Sequence, residues 1–356
     1  MAVFNFIFLI TSVFASSWSE VDGLVKSNHR RLFPEASLIV GNKQVVVKEL
    51  HPGSSSERVY DIASLTKVVA TATAIMILQD RGLLSVSDPV KNYIPEFSGK
   101  DKDGVLIEDL LRHRAGLLAG KAPLSGEQLL DYIKRIASSP LSYSPRSKVV
   151  YSDLSAILLG HIVEVVSSQK LDEFVHAHIF GPLGMKQTSM RPDLMGFSCA
   201  LTGKDRSCRP HDPTANHFFP VAIGNAGVFS TSLDLSLFAQ MMLGKGELNG
   251  VRILSEESVK QMTELPRGVT RGLGWDLLSE YSSAPRGAYF SEGVSYGHTG
   301  YTGTTLWIDP KCSSYYVFLS NRVYLGDAAT KKPFSAFRKA LSSGIGKVLY
   351  FQQNRQ

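Results

Sequence analysis

The 356-residue chain contains only three cysteines, Cys199, Cys208 and Cys312, too few for a disulfide framework at this length. It has no repeat period and no low-complexity tract, which excludes a solenoid. No continuously apolar run is long enough to span a bilayer. Nor is there a concentrated charge of either sign. Lys+Arg 38 against Asp+Glu 32 gives a net charge of +6, but the basic residues are scattered. The densest clusters, His29-Arg30-Arg31 and Lys331-Lys332, are too dispersed for a nucleic-acid footprint. The hydrophobic share of 44% with 20% charged residues is that of a globular protein, and this length suits one large α/β unit or two interlocked lobes.

Residues 2–15 carry no charged side chain, and no Lys or Arg precedes them, so the terminal amine is the only positive end. The stretch closes on Val13-Phe14-Ala15, which suits a small-residue cleavage rule. We read residues 1–15 as a secretory signal, with export to the periplasm or beyond and a mature chain starting near Ser16. The competing reading is a buried first strand or helix of a cytosolic protein. In an exported chain Cys199 and Cys208 can close a small loop. A zinc site built from them with His211 and His217 lacks a closely spaced Cys pair.

Trp18 to Arg31 shows helical spacing, and Leu38-Ile39-Val40, Gly41-Asn42 and Val45-Val46-Val47 read as a β-hairpin. Leu65 to Leu78 is almost continuously apolar and closes on Asp80-Arg81-Gly82, which predicts a buried helix. Helical stretches at Ile107 to His113, Gly126 to Ser138 and Leu154 to Val166 are separated by Pro- and Ser-rich breaks. Strands return at Thr304 to Ile308 and Tyr315 to Leu319, around Asp309-Pro310-Lys311, before a final helix from Phe334 to Leu341. These elements predict an α+β fold. One antiparallel sheet is built from both termini (16–84 and 225–356) and flanked by helices, and a mostly helical lobe spans 85–224.

Ser64-Leu65-Thr66-Lys67 opens the apolar helix, so the hydroxyl and amine project from one side of its first turn. Lys67 is the only charged residue between Ser64 and Asp80, and desolvation there is expected to lower its pKa, leaving it partly neutral and able to take the serine proton. The helix N-terminus favours negative charge on a bound carbonyl oxygen. Ser167-Ser168-Gln169-Lys170 matches the same spacing, but at a helix end. Tyr151-Ser152-Asp153 lies in a loop before the helix from Leu154, and the Gly-rich run Gly297-His298-Thr299-Gly300-Tyr301-Thr302-Gly303-Thr304 approaches a strand, where substrate backbone can lie against a sheet edge. His113, His161, His176 and His178 read as packing or surface groups, and His211 carries no assigned role.

In this order the three motifs resemble the serine β-lactamase and penicillin-binding superfamily, most closely its class C branch with esterases, D-aminopeptidases and D-alanyl-D-alanine carboxypeptidases. Val59-Tyr60-Asp61-Ile62-Ala63, Leu110 to Leu117, Gly224 to Thr231, Gly272-Leu273-Gly274-Trp275 and Ser320-Asn321-Arg322 extend the likeness over the mature chain. The resemblance implies a β-lactamase-like fold, Ser64 as acylated nucleophile, and Lys67 and Tyr151 as proton carriers whose order stays open. It also implies an oxyanion hole from the backbone N–H groups of Ser64 and Tyr301, with Tyr301 at a strand position.

Two residues depart from that pattern. His298 stands where β-lactamases of this branch have Lys, and a mostly neutral imidazole holds a carboxylate less firmly, which argues against efficient β-lactam hydrolysis. Asp153 replaces the usual Asn. It can read a donor, pair with a lysine or cap the helix. With Thr299 and Gly300, these two complete the expected substrate contacts.

The expected activity is acyl-enzyme hydrolysis of cell-wall D-amino-acid peptides, with no metal or organic cofactor. The alternatives are a small-ester hydrolase and a non-catalytic penicillin-binding or cell-wall-fragment sensor.

Overall fold

A computed structural model of the protein describes residues 18–204, 207–280 and 282–353. The signal reading of residues 1–15 lies outside them. From its start the described chain forms α1 (18–28), the hairpin β1 (Ala36–Asn42) and β2 (Val46–Leu50), the short β3 (Tyr60–Asp61) and α2 (Thr73–Asp80). There follow α3 (Ile107–Leu111), α4 (Leu129–Ser138), α5 (Asp153–Ser167), α6 (Leu171–Val175) and α7 (Pro213–Phe218). The chain returns through β4 (Phe229–Ser230), α8 (Ser232–Leu243), β5 (Glu247–Leu248), β6 (Val251–Arg252), α9 (Glu256–Thr263) and α10 (Ser283–Arg286). It then forms β7 (Tyr296–Gly300), β8 (Thr304–Asp309), β9 (Ser314–Ser320) and a closing helix α11 (Asp327–Gln353).

Five of these strands make one antiparallel sheet in the order β2-β1-β9-β8-β7, so chain segments from the two ends meet at the β1–β9 seam. The register sets Leu38 opposite Phe318 and Val40 opposite Tyr316. Strands β1 and β9 are buried nearly throughout because helices cover both faces. Their alternation still sorts the side chains. Leu38, Val40, Trp307, Tyr316 and Phe318 join a core with residues of α1 and α11, whereas Ile39, Leu306, Ile308, Val317 and Leu319 join the larger core containing α2, α5 and α8. The α+β, β-lactamase-like architecture expected from the sequence is therefore present.

Two sequence expectations change. The closing helix begins at Asp327, before the expected Phe334, and runs through Pro333. An internal proline costs about 3 kcal/mol in a helix. Here Phe334, Phe337, Leu341, Ile345 and Val348 bury one stripe against the sheet and outweigh that cost. The segment after Ser64 is a 3-10 turn at Ala63–Leu65 followed by a wider π-helical turn at Lys67–Ala72, and regular α-helix starts only at Thr73.

Phe318 packs against Phe33, Phe334 and Phe337 with ring centres 5.4–6.2 Å apart. Phe318→Ala is expected to cost about 3–5 kcal/mol in urea unfolding. Replacing exposed Tyr324 by Ala should change stability by no more than about 0.5 kcal/mol.

Candidate active site

Ser64 sits on a turn tied down on every side. The buried Asp61 carboxylate accepts the Ala63 N–H at 2.8 Å and the His211 N–H at 2.7 Å. Thr302 Oγ1 donates to the Asp61 carbonyl at 2.8 Å, and Thr304 Oγ1 donates to the Ile62 carbonyl at 3.0 Å. These bonds hold Ala63 at φ 48°, a left-handed conformation that costs a non-glycine residue about 1–3 kcal/mol. Strand β7 lies so close to this turn that a Cβ on Gly300 would stand 2.5 Å from the Ile62 oxygen. Only glycine fits there.

Lys67, 3% exposed, donates from Nζ to Ser64 Oγ at 3.1 Å and to the Asn225 carbonyl at 2.9 Å. The same nitrogen forms an ion pair with Asp153 Oδ1 at 2.6 Å. Burial alone would push the ammonium down, but the Asp153 charge, joined by Tyr151, outweighs it and holds Lys67 well above the ordinary lysine range. This corrects the sequence reading of a partly neutral lysine, which counted desolvation without its partner. Of the three roles open to Asp153, pairing with a lysine is the one observed. The α5 cap is Ser152, whose Oγ accepts the Ser155 N–H at 3.3 Å.

Tyr151 precedes α5 in a nest of rings and cations. Lys67 Nζ lies 5.1 Å from its ring centre and the Arg271 guanidinium carbon 5.7 Å. The rings of His113 and His298 lie at 4.6 and 5.7 Å. Both histidines are buried. Their pKa values fall well below the ordinary range, through desolvation first and the Arg271 and Lys67 charges next. His298 is thus a neutral imidazole, its Nδ1 bonded to the Thr299 carbonyl at 2.9 Å. His113, read from sequence as a packing or surface group on a helical stretch, is a buried packing group, but it lies in a turn beyond α3 at φ 55° and its ring packs on Tyr151.

Ser64, Tyr151, His298, Thr299, Gly300 and Tyr301 line one cavity of about 540 Å³. Lys67 and Asp153 join this group through the bond to Ser64. Tyr301 falls just past the end of β7, in the turn to β8, and not on the strand as expected. Its carbonyl accepts from Arg322 Nη2 at 2.6 Å, and its hydroxyl donates to Asp327 at 2.6 Å.

The cavity wall also holds Arg271, Asp276, Arg322, Lys331 and Arg338, charged groups that the sequence reading did not select. Arg271 and Asp276 bracket the quoted Gly272-Leu273-Gly274-Trp275 stretch, and a charge at each end of an otherwise apolar, Gly-rich segment was the available signal. His211, also without a role before, stacks on the Tyr301 ring at 5.9 Å. The second Ser-x-x-Lys match ends on an exposed connection between α5 and α6.

Cys199 and Cys208 are joined as a disulfide, so neither sulfur is a thiolate donor and the zinc reading falls. Among the described residues no group of three His, Cys, Asp or Glu is placed to hold a metal ion.

The family model named Beta-lactamase matches residues 25–339. A Salmonella gallinarum protein with the provisional name D-alanyl-D-alanine carboxypeptidase is 33% identical over 310 residues, 76% of this chain and 71% of its own. The fold matches that of a penicillin-binding protein homologue from Caulobacter crescentus (TM-score 0.74, 21% identity, 93% and 97% of the two chains). It also matches a class C β-lactamase from Rhodobacter sphaeroides (TM-score 0.71, 20% identity, 94% and 99% of the two chains). The extent of the family match and the identity to a relative over most of the chain lead to one conclusion: the protein belongs to the β-lactamase family of serine hydrolases.

Proposed function

We propose that the protein hydrolyses cell-wall D-amino-acid peptides, in the manner of a D,D-carboxypeptidase, through an acyl-enzyme at Ser64. The observation that carries this reading is the convergence of Ser64, Lys67 and Tyr151 at one cavity, with the Lys67 ammonium 3.1 Å from the nucleophilic oxygen.

Because Lys67 is paired with Asp153, it stays an ammonium and its role is electrostatic, stabilising charge that develops on Ser64 Oγ. Tyr151, starting the step as the phenolate, is then the group that takes the Ser64 proton as the Oγ–C bond forms. It returns that proton to the leaving nitrogen as the amide bond breaks. Water repeats the sequence to release the acyl group. The N–H groups of Ser64 and Tyr301 receive the carbonyl oxygen, and the buried Arg322 fixes the Tyr301 peptide by holding its carbonyl.

Substrate class rests on the cavity wall and on the relative's name. Arg271, Arg322, Lys331 and Arg338 line the cavity with one lining carboxylate, Asp276, and Arg322 is also paired with Asp327 at 2.8 Å; the remaining positive excess suits a substrate bearing a free carboxylate. β7 is the edge strand of the sheet, where an extended peptide can align beside Thr299. The Cys199–Cys208 disulfide supports an exported protein. A small-ester hydrolase is the second reading, favoured by the neutral His298 where a permanent cation would grip a carboxylate.

Intact mass spectrometry after incubation with a peptide ending in D-Ala-D-Ala is expected to show loss of the terminal residue and a transient adduct on Ser64. Turnover of p-nitrophenyl acetate with none of the peptide would move the assignment to the ester reading. Ser64→Ala and Lys67→Ala should each abolish turnover, and Tyr151→Phe should lower it about 10²–10⁴-fold. Asp153→Asn removes the charge that opposes burial, so Lys67 should titrate at lower pH than in the wild type. Lysine side-chain NMR in the Ser64→Ala background would read that shift.

A further inference from the structure

Arg271 is 1% exposed, and its side chain is only partly satisfied. Nη1 lies 3.4 Å from both Asp276 Oδ1 and Ser279 Oγ, while Nε and Nη2 are buried without a hydrogen-bond partner among the described residues. A guanidinium buried this way is costly unless something else compensates it. The compensating surface is the Tyr151 ring, 5.7 Å from the guanidinium carbon.

The other charged and titratable groups around Tyr151 are already committed. From the turn after Ser64, Lys67 also interacts with Tyr151, but its charge is balanced by Asp153 of α5 at 2.6 Å, a closer carboxylate than Arg271 has. Beyond α3, His113 Nδ1 accepts the Ser152 N–H at 3.1 Å, which requires that nitrogen to be unprotonated. On β7, His298 Nδ1 carries the proton it donates to the Thr299 carbonyl, leaving Nε2 bare in the neutral ring. Asp276 accepts from Ser279 Oγ at 2.5 Å and meets Arg271 only at 3.4 Å. The guanidinium charge is therefore the least compensated one near the phenol.

We propose that Arg271 is a positioning residue of the proton-transfer site: a fixed positive charge, buried against the Tyr151 ring, that favours negative charge on the Tyr151 oxygen whenever that oxygen has given up its proton. This rests on the reading of Tyr151 as proton carrier. The same charge opposes protonation of the two flanking imidazoles, so that neither competes for the proton passing between Ser64 Oγ and the leaving group. The proton is conserved through the step: the Tyr151 phenolate receives it as the Ser64 Oγ–C bond forms and becomes phenolate again on delivering it as the bond to the leaving group breaks, with the electron pair departing on that group.

The test is the pH dependence of kcat/KM for p-nitrophenyl acetate in wild type, R271Q and R271K. In R271Q the ascending limb, which belongs to the coupled Lys67–Asp153–Tyr151 cluster, is expected about one pH unit higher. kcat at neutral pH should fall about tenfold with KM little changed, and R271K should restore the limb. A limb that does not move, or a loss confined to KM, overturns the proposal. Histidine-ring NMR in the inactive Ser64→Ala background gives a readout independent of turnover. There R271Q should raise the titration midpoints of His113 and His298, and unchanged midpoints also overturn it.

If R271Q does not melt cooperatively, R271K carries the test. Its limb and histidine midpoints should match the wild type, and a displaced limb overturns the proposal. Full turnover by Tyr151→Phe would instead remove the proton-carrier reading beneath it. Lost turnover in that variant with an unmoved R271Q limb would remove this inference alone.

Discussion

The ion pair between Lys67 and Asp153 organises the rest of the site. It joins the turn that bears Ser64 to the first residue of α5, and so ties Ser64 to the segment carrying Tyr151. A buried ammonium without a counter-charge would shed its proton. With Asp153 at 2.6 Å and the Asn225 carbonyl at 2.9 Å, the proton stays and one ammonium hydrogen remains aimed at Ser64 Oγ.

Around that pair the scaffold sets position through close backbone approach. The antiparallel sheet carries β7 to its edge, and Gly300 lets that edge touch the strained turn at Ala63. Thr302 and Thr304 bond the carbonyls of Asp61 and Ile62, so the turn before Ser64 is tethered to the turn after β7 and to the start of β8. Such tethers are what allow a left-handed alanine to persist at the site.

The charges near the cavity are distributed unevenly, with consequence. The two histidines facing Tyr151 are held neutral, while arginines and a lysine line the walls. Positive charge at the site is thus supplied by arginine and lysine side chains and not by the imidazoles.

Much of the molecule was legible before any coordinates. The terminal hairpins follow from short apolar runs on either side of turn residues, and the three motifs follow from spacing within a few residues, so both are written locally. Ser64, Tyr151 and His298 line one cavity. The protonation of Lys67 was not legible, because its sign depends on Asp153, a residue distant in sequence whose charge acts only when folding places it at 2.6 Å. Likewise, His113 and Arg271 look like ordinary polar residues of a turn and a loop until packing sets both against one ring. Local sequence determines which elements form and which reactive groups are present. Burial and distance between remote segments, which exist only in the tertiary structure, decide which of those groups carry charge.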